Sequence, residues 1–357
     1  MKYDIITIGG ATYDITFFPA ENEGILIDNK QDILRQKLLA FEHGAKINSE
    51  KVVYGFGGGA ANTAVSFSRL GFKTAAIVAI GKDIFGNEII ANLKKQKVDA
   101  ELTQKIPNQS SDLAVIIIGP DKDRVIFFDN KIKNKLQLSR KSIAAIKKTK
   151  WIYLASLSGN WQKILTEVFD VKNKKPEIKI AWNPGQSQLI GGITKLKEFL
   201  KQTEVLILNQ DEAIQLAMSD SEIKEKNIYG ERLVVSKIEP SRTIDLNNVK
   251  NLLLRIKSYG SQIAVITCGK DGAWAYDGKE VHFAKIQKEQ KRIDTTGVGD
   301  AFGSSFVAGM ELFSGDIDKA MKLGILNTAS VVAAPGAQNG LLSKKDLSKL
   351  KINNLKN

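Results

Sequence analysis

Asp294-Thr295-Thr296-Gly297-Val298-Gly299-Asp300-Ala301-Phe302-Gly303 is the stretch that decides how this 357-residue chain is read. A helical pattern, 301–313, leaves it, so a helix is expected to begin near Asp300. Glycines at 297 and 299 let the backbone turn sharply and aim several N–H groups at one point. A helix N-terminus there adds the positive end of its dipole. Together these predict an anion hole suited to phosphoryl oxygens. A carboxylate at its mouth repels phosphate, so Asp300 calls for a task, and accepting a proton from an attacking hydroxyl is the obvious one. The plainer alternative is that Asp300 simply caps the helix.

Working outward, short apolar runs alternate with helical stretches. Strands are expected at 5–8, 52–54, 74–80, 152–155, 178–182, 205–208 and 263–267, and helices at 60–70, 84–95, 301–313, 317–333 and 344–351. Residues 113–118 and 124–128 read as a hairpin turning at Gly119-Pro120-Asp121, and 274–276 with 281–284 as a short meander. Alternation of this kind predicts an α/β fold with a parallel sheet covered by helices on both faces. A charged region, 21–51, holds an amphipathic segment near 33–41, and a polar, weakly periodic surface insertion is expected at 219–247.

Composition narrows the function. Hydrophobic residues make up 43% and charged residues 25%, enough to bury a sizeable core. Cys268 is the single cysteine and His43 and His282 the only histidines, which excludes a disulfide scaffold, a Cys-rich zinc site and most His-based triads. The net charge of +13 admits a nucleic-acid partner, but the lysines are scattered from Lys2 to Lys356, which reads as a solvated surface; no specific nucleic acid is expected. No secretory signal or membrane-length apolar run is visible, so a cytoplasmic protein is expected, without membrane contact.

A second glycine cluster, Gly55-Phe56-Gly57-Gly58-Gly59-Ala60-Ala61-Asn62, formally fits the dinucleotide fingerprint, with Asp83 a suitable distance beyond. Against it, the strand is not the first in the chain and three consecutive glycines make the match easy. The same glycines would let backbone approach a polyol while Asn62 bonds its hydroxyls, or would serve a tight helix-packing turn. Residues 272–279 mimic a P-loop, but the spacing is one residue too long and Glu280 stands where Ser or Thr is required.

Gly57-Gly58-Gly59-Ala60-Ala61-Asn62-Thr63-Ala64, then Arg69-Leu70-Gly71 and Gly81-Lys82-Asp83-Ile84-Phe85-Gly86, then the run from Asp294 to Gly303, together resemble the PfkB family of ribokinase-like carbohydrate kinases. The resemblance spans Ile5 to about Ala337. It implies a ribokinase-like three-layer sandwich with a mostly parallel central sheet, in a single domain, and a small β-rich lid from about 14–54 and 113–129. It implies Asp300 as catalytic base, with Gly297, Val298 and Gly299 holding the transferring phosphate. Asp14, Gly58, Gly59 and Asn62 would bind the sugar. Asn209, Thr267, Gly269, Gly272 and Asn327 would contact ATP. Glu212, with Asn209, would organise Mg²⁺ largely through water, and Asp294 and Thr296 match positions that often hold a monovalent cation such as K⁺.

The implied activity is transfer of the ATP γ-phosphoryl group to a primary hydroxyl of a small sugar. A nucleoside is the alternative acceptor, and a catalytically silent nucleotide- or sugar-binding protein the remote one. Family lids can pair between subunits, which makes a homodimer through the lid an expectation. Two departures bear on the acceptor: Ser156-Leu157-Ser158-Gly159 stands where ribokinases often carry a Glu, and Asp129-Asn130-Lys131 replaces a small Gly-Ala pair. Phe127 and Phe128 are candidates to stack on a base, or to pack as strand core.

Overall fold

Runs such as 5–8 and 74–80 are apolar apart from Thr7 and Thr74, because both faces of their strands are covered. The computed structural model describes residues 2–28, 37–121, 123–220, 223–229, 232–237, 243–246, 248–287 and 292–349. In chain order the elements are β1 (Tyr3–Gly9), β2 (Thr12–Pro19), β3 (Ile25–Asp28), β4 (Lys37–Ala40), β5 (Ser49–Gly57), α1 (Gly59–Arg69), β6 (Thr74–Gly81), α2 (Ile84–Lys95), β7 (Gln104–Ile106), β8 (Leu113–Ile118), β9 (Arg124–Asp129), α3 (Arg140–Ile146) and β10 (Thr149–Leu154). There follow α4 (Trp161–Lys174), β11 (Lys179–Trp182), α5 (Gln186–Leu200), β12 (Val205–Asn209), α6 (Gln210–Met218), β13 (Ile223–Tyr229), β14 (Arg232–Lys237), β15 (Thr243–Asp245) and α7 (Val249–Lys257). The chain ends with β16 (Ile263–Thr267), β17 (Ala273–Tyr276), β18 (Val281–Ala284), α8 (Val298–Leu312), α9 (Ile317–Val332) and α10 (Lys344–Lys349).

The main sheet has nine strands in the order β18-β17-β16-β12-β11-β10-β1-β6-β7. It is parallel from β7 to β16, and β17 and β18 add an antiparallel edge. Successive residues feed opposite layers. Ile6, Ile8, Ile152, Leu154, Leu206 and Leu208 pack under α4 to α7, while Ile5, Tyr153, Val205 and Ile207 pack under α1, α8 and α9. Double burial explains unbroken apolar strands where a one-sided sheet would alternate. The carboxyl ends of β1, β10, β11, β12 and β16 all reach one edge, where open α/β sheets bind ligands.

A second sheet, β5-β2-β8-β9, stands beside that edge. β2 pairs antiparallel with β5 and parallel with β8, which sets Asp14 between Gly55 and Ala114. β3 and β4 pair as a separate two-stranded sheet. The amphipathic segment expected near 33–41 is therefore strand at Lys37–Ala40, and 29–36 lie outside the described residues. The polar insertion holds three antiparallel strands, β13-β14-β15. The helix expected to start near Asp300 starts two residues earlier, at Val298.

α8 carries Asp300, so its seat matters. It packs closely on α9: a Cβ built on Gly309 would lie 2.6 Å from the Ala320 Cα. On an exposed helix, Gly→Ala stabilises by up to about 1 kcal/mol. Here the backbone contact opposes that gain, and forcing extra volume into a packed core costs about 1–3 kcal/mol. Gly309→Ala is therefore expected to destabilise the protein, read as a lower midpoint in urea unfolding. A raised midpoint would contradict the close α8–α9 packing.

Candidate active site

The expected anion hole falls at the turn into α8. Gly297 is the N-cap, with φ +76, and a Cβ there would lie 2.5 Å from the Ala337 Cβ. Left-handed backbone and steric closeness both demand glycine at this position. The N–H groups of Val298, Gly299 and Asp300 are the first of the helix and have no acceptor within it. No atom lies within 4 Å of a Cβ built on Gly299, which leaves that flank open to a ligand.

Asp300 is the third residue of α8 and not its cap, so the plain capping alternative does not hold. Its Oδ2 accepts a hydrogen bond from Asn62 Nδ2 at 2.8 Å. Burial pushes the carboxyl above its ordinary value, and the Asn62 bond opposes that. Asp14 enters from β2, where its Oδ1 accepts from Thr12 Oγ1 at 2.7 Å. Burial pushes Asp14 up to about 6; the Thr12 bond resists, and the nearby Asp294 and Asp300 charges add to the rise.

The glycine cluster lets these groups meet. A Cβ on Gly57 would fall 2.3 Å from Asp14 Oδ2 and 2.5 Å from Thr12 Oγ1, so a side chain at 57 would expel the carboxylate. Gly58 and Gly59 join β5 to α1, and Asn62 follows in the first turn of that helix. The dinucleotide fingerprint does not hold. β5 belongs to the smaller antiparallel-edged sheet, and Asp83 caps α2 while bonding Ser111 N and Oγ.

A cavity of about 310 Å³ opens between the two sheets. Asp14, Asn62, Asp300 and Gly297 form its polar wall, and Ile116, Ile126 and Phe128 its apolar roof. Alternation along β9 turns Phe127 to the other face, where it is 62% exposed. A larger hollow of about 740 Å³ lies at the opposite end of the sheet, by Arg69, Lys73, Lys95 and Lys97. Arg69 and Lys95 sit in the last turns of α1 and α2, where cations offset the helix dipole.

On the nucleotide side, register sets Asn209 beside Thr267 at the carboxyl edge. Gly269 and Gly272 lie in the turn that follows, the first exposed and the second buried. Asn209 and Glu212 form a capping box on α6: Asn209 Oδ1 accepts from Glu212 N at 2.8 Å, and Glu212 Oε2 accepts from Asn209 N at 2.9 Å. Burial raises the Glu212 carboxyl, the Asn209 N–H lowers it, and the Asp211 and Asp300 charges raise it. One Glu212 oxygen is thus committed to the helix cap, and the Asn183 side chain also hydrogen-bonds this carboxyl and lowers it.

One expected site residue is placed differently. Asn327 is fully buried; its amide donates to Ser305 Oγ at 2.6 Å and accepts from Leu342 N at 2.8 Å, so it ties α9 to α8 instead of reaching a nucleotide. Asp294 is 1% exposed, and its Oδ1 accepts from Thr296 N and Oγ1 while Oδ2 accepts from Gly336 N at 2.8 Å. These three donors tie the Asp294 carboxylate to Thr296 and Gly336 and fix the loop that leads into α8. Thr12 and Gln338 were not found by motif. Thr12 carries a signal in hindsight, a hydroxyl two residues before an acid on a strand and so on the same face. Gln338 carries none.

An uncharacterized sugar kinase from Archaeoglobus fulgidus is 25% identical over 285 residues, 78% of this chain and 98% of that protein. Arabidopsis thaliana ribokinase, solved with ribose and ATP, matches over 100% of both chains with a TM-score of 0.73 and 15% identity. A Burkholderia thailandensis nucleoside kinase, in complex with inosine, matches over 97% of both chains with a TM-score of 0.70 and 16% identity. At these identities the two structures show the ribokinase-like fold. No helix among the described residues is long and apolar enough to cross a membrane. The pattern of the pfkB family of carbohydrate kinases matches residues 29–344, through both glycine segments, and the chain belongs to that family of ATP-dependent phosphotransferases acting on an alcohol group.

Proposed function

We propose that this sugar or nucleoside kinase acts on a small sugar, with Asp300 as the base that takes the proton of a primary hydroxyl. The observation that carries this is a half-buried carboxylate in the first turn of a glycine-capped helix, facing a cavity that a second carboxylate, Asp14, also enters. Asp14 would hold sugar hydroxyls with Asn62, and Gly58 and Gly59 would let the ring come close. As the acceptor oxygen bonds the γ-phosphorus, the bond to the ADP oxygen breaks and the hydroxyl proton passes to Asp300. The N–H groups of Val298, Gly299 and Asp300 would stabilise charge on the transferring oxygens, and Gly297 sets the turn that aims them. Thr267, Gly269, Gly272 and Asn209 would line the ATP side.

Mg²⁺ fits this site in one respect: a water-clad ion on ATP phosphates needs few protein ligands, and the raised Glu212 carboxyl is one that a cation would favour as ionised. When bound it would neutralise phosphate charge. A nucleoside is the second acceptor class, supported by the apolar roof of Ile126 and Phe128, which suits a base as well as a sugar's C–H face. We assign the lid to about 14–54 and 113–129 of one domain. Its outer face carries a row, Tyr54–Ile15–Val115–Phe127, paired across four strands. Tyr54 is 65% and Phe127 62% exposed, and such an apolar face supports pairing with a second copy.

ADP release from MgATP is expected to depend on one acceptor class in a panel of pentoses, hexoses, sugar phosphates, sugar acids and nucleosides. Asp300→Asn is expected to lower it by about 10²–10⁴-fold; an equal rate in the variant would remove Asp300 from the role. Sedimentation velocity is expected to show a dimer that Phe127→Glu splits, and a wild-type monomer at micromolar concentration would end the lid-pairing proposal.

Asp14 gives a pH prediction. Its folded value, about 6, lies above the ordinary 3.8, so ionising it opposes folding. That penalty begins as pH rises past the unfolded value and is complete above the folded one. Asp14→Asn should therefore gain on the order of 1–3 kcal/mol at pH 7–8, lose that gain toward pH 4, and bind acceptor weakly. A variant no more stable than wild type at pH 8 would contradict the buried, destabilised carboxylate.

A further inference from the structure

Three buried side-chain amides form a line that ends on Asp300. Asn92 Nδ2 on α2 donates to Gln338 Oε1 at 2.9 Å, Gln338 Nε2 donates to Asn62 Oδ1 at 2.9 Å, and Asn62 Nδ2 donates to Asp300 Oδ2 at 2.8 Å. We propose that Gln338 and Asn92 are positioning residues that hold the Asn62 amide with its N–H toward Asp300, keeping that carboxylate ionised and aimed at the acceptor. The proposal rests on Asp300 being the base.

The direction of the line follows from chemistry. An ionised carboxylate only accepts, so Asn62 must present nitrogen to Asp300 and oxygen to Gln338. Gln338 must then present nitrogen to Asn62 and oxygen to Asn92. One anion thus sets the orientation of three amides, and conversely the amides determine what faces the anion. Without Gln338 the Asn62 amide could turn over and accept from a protonated Asp300, so the link to Gln338 favours the orientation that suits the ionised form. Asn92, Asn62 and Gln338 are each under 10% exposed, where an unpaired amide is costly.

The segment that carries Gln338 is fixed to the phosphate loop. Gly336 N donates to Asp294 Oδ2, and Ala337 abuts Gly297. A single short segment therefore orders both the anion hole and the group beside the base. The titratable groups around Asp300 are Asp14 from β2, Glu212 from α6 and Tyr153 from β10, with Asp294 in the preceding loop beside Asp14. Arg124 from β9 donates to Thr295 Oγ1 in that loop. Each of these acids resists a further negative charge, which makes the Asn62 N–H the hydrogen bond that favours ionised Asp300.

The test is a ¹³C NMR titration of the Asp300 carboxyl, assigned with Asp300→Asn, in the protein without substrates. Gln338→Met removes both amide links at similar volume. Its Asp300 midpoint is expected to move up by about one unit, since loss of a donor to the ionised form disfavours it. In an Asn62→Ala background the same change should add nothing, because Gln338 acts through Asn62. Asn92→Leu, which alters no cavity residue, should move the midpoint the same way by less and serves if Gln338→Met does not fold. With an acceptor, the acid limb of kcat/KM should move up with the midpoint while KM for ATP stays constant. An unmoved midpoint in the folded variants, or full additivity with Asn62→Ala, overturns the relay. A moved midpoint in a protein that transfers no phosphate keeps the relay and removes the base role instead.

Discussion

A carboxylate held where negative charge is least welcome is the constraint on which the rest of this structure depends. Asp300 sits in the first turn of α8, at the edge of a turn shaped to take anions, with Asp14 and Glu212 as further acids in its surroundings. Such a group stays ionised only if donors are directed at it and water is kept from competing. The Asn62 bond supplies the donor. The seating of α8 on α9 and the closure of the glycine turns supply the fixed geometry. Apolar packing alone would favour replacing these acids with neutral groups, as the raised value of Asp14 indicates. The arrangement is best understood as stability given up for chemistry.

The two sheets divide the work. The nine-stranded sheet is buried on both faces and brings the ends of β12 and β16 to one edge, where Asn209 lies beside Thr267. The four-stranded sheet brings Asp14 and the apolar roof of Ile116, Ile126 and Phe128 over that edge. Polar groups that bind and react therefore come from rigid strand ends and helix starts. One departure from ribokinases, at 156–159, follows β10 of the large sheet, and the other, at 129–131, begins on the last residue of β9 in the smaller one.

Much of this was legible in the sequence, for identifiable reasons. Unbroken apolar runs separated by helical periodicity gave the parallel sheet, because double burial leaves no polar face to confuse the period. The Asp294–Gly303 run marked the tight turn into α8 because glycine is required there by a left-handed backbone against Ala337. What escaped depends on contacts far apart in sequence. Asn327 looked like a nucleotide ligand but is consumed inside the α1–α8–α9 layer by Ser66, Ser305 and Leu342. The amide line joins residues 92, 338, 62 and 300, and no local pattern marks it. The three strands at 223–245 were read as polar surface because no strict alternation runs through them.

The stereochemistry of transfer tests the central claim most directly. ATP made chiral at the γ-phosphorus with oxygen isotopes, turned over with the acceptor the enzyme uses, reports how many displacements occur. If Asp300 takes a proton while the acceptor attacks directly, there is one in-line displacement and the configuration inverts. Retention would mean two displacements through a phosphorylated residue, with Asp300 the obvious candidate, and would contradict its assignment as a base.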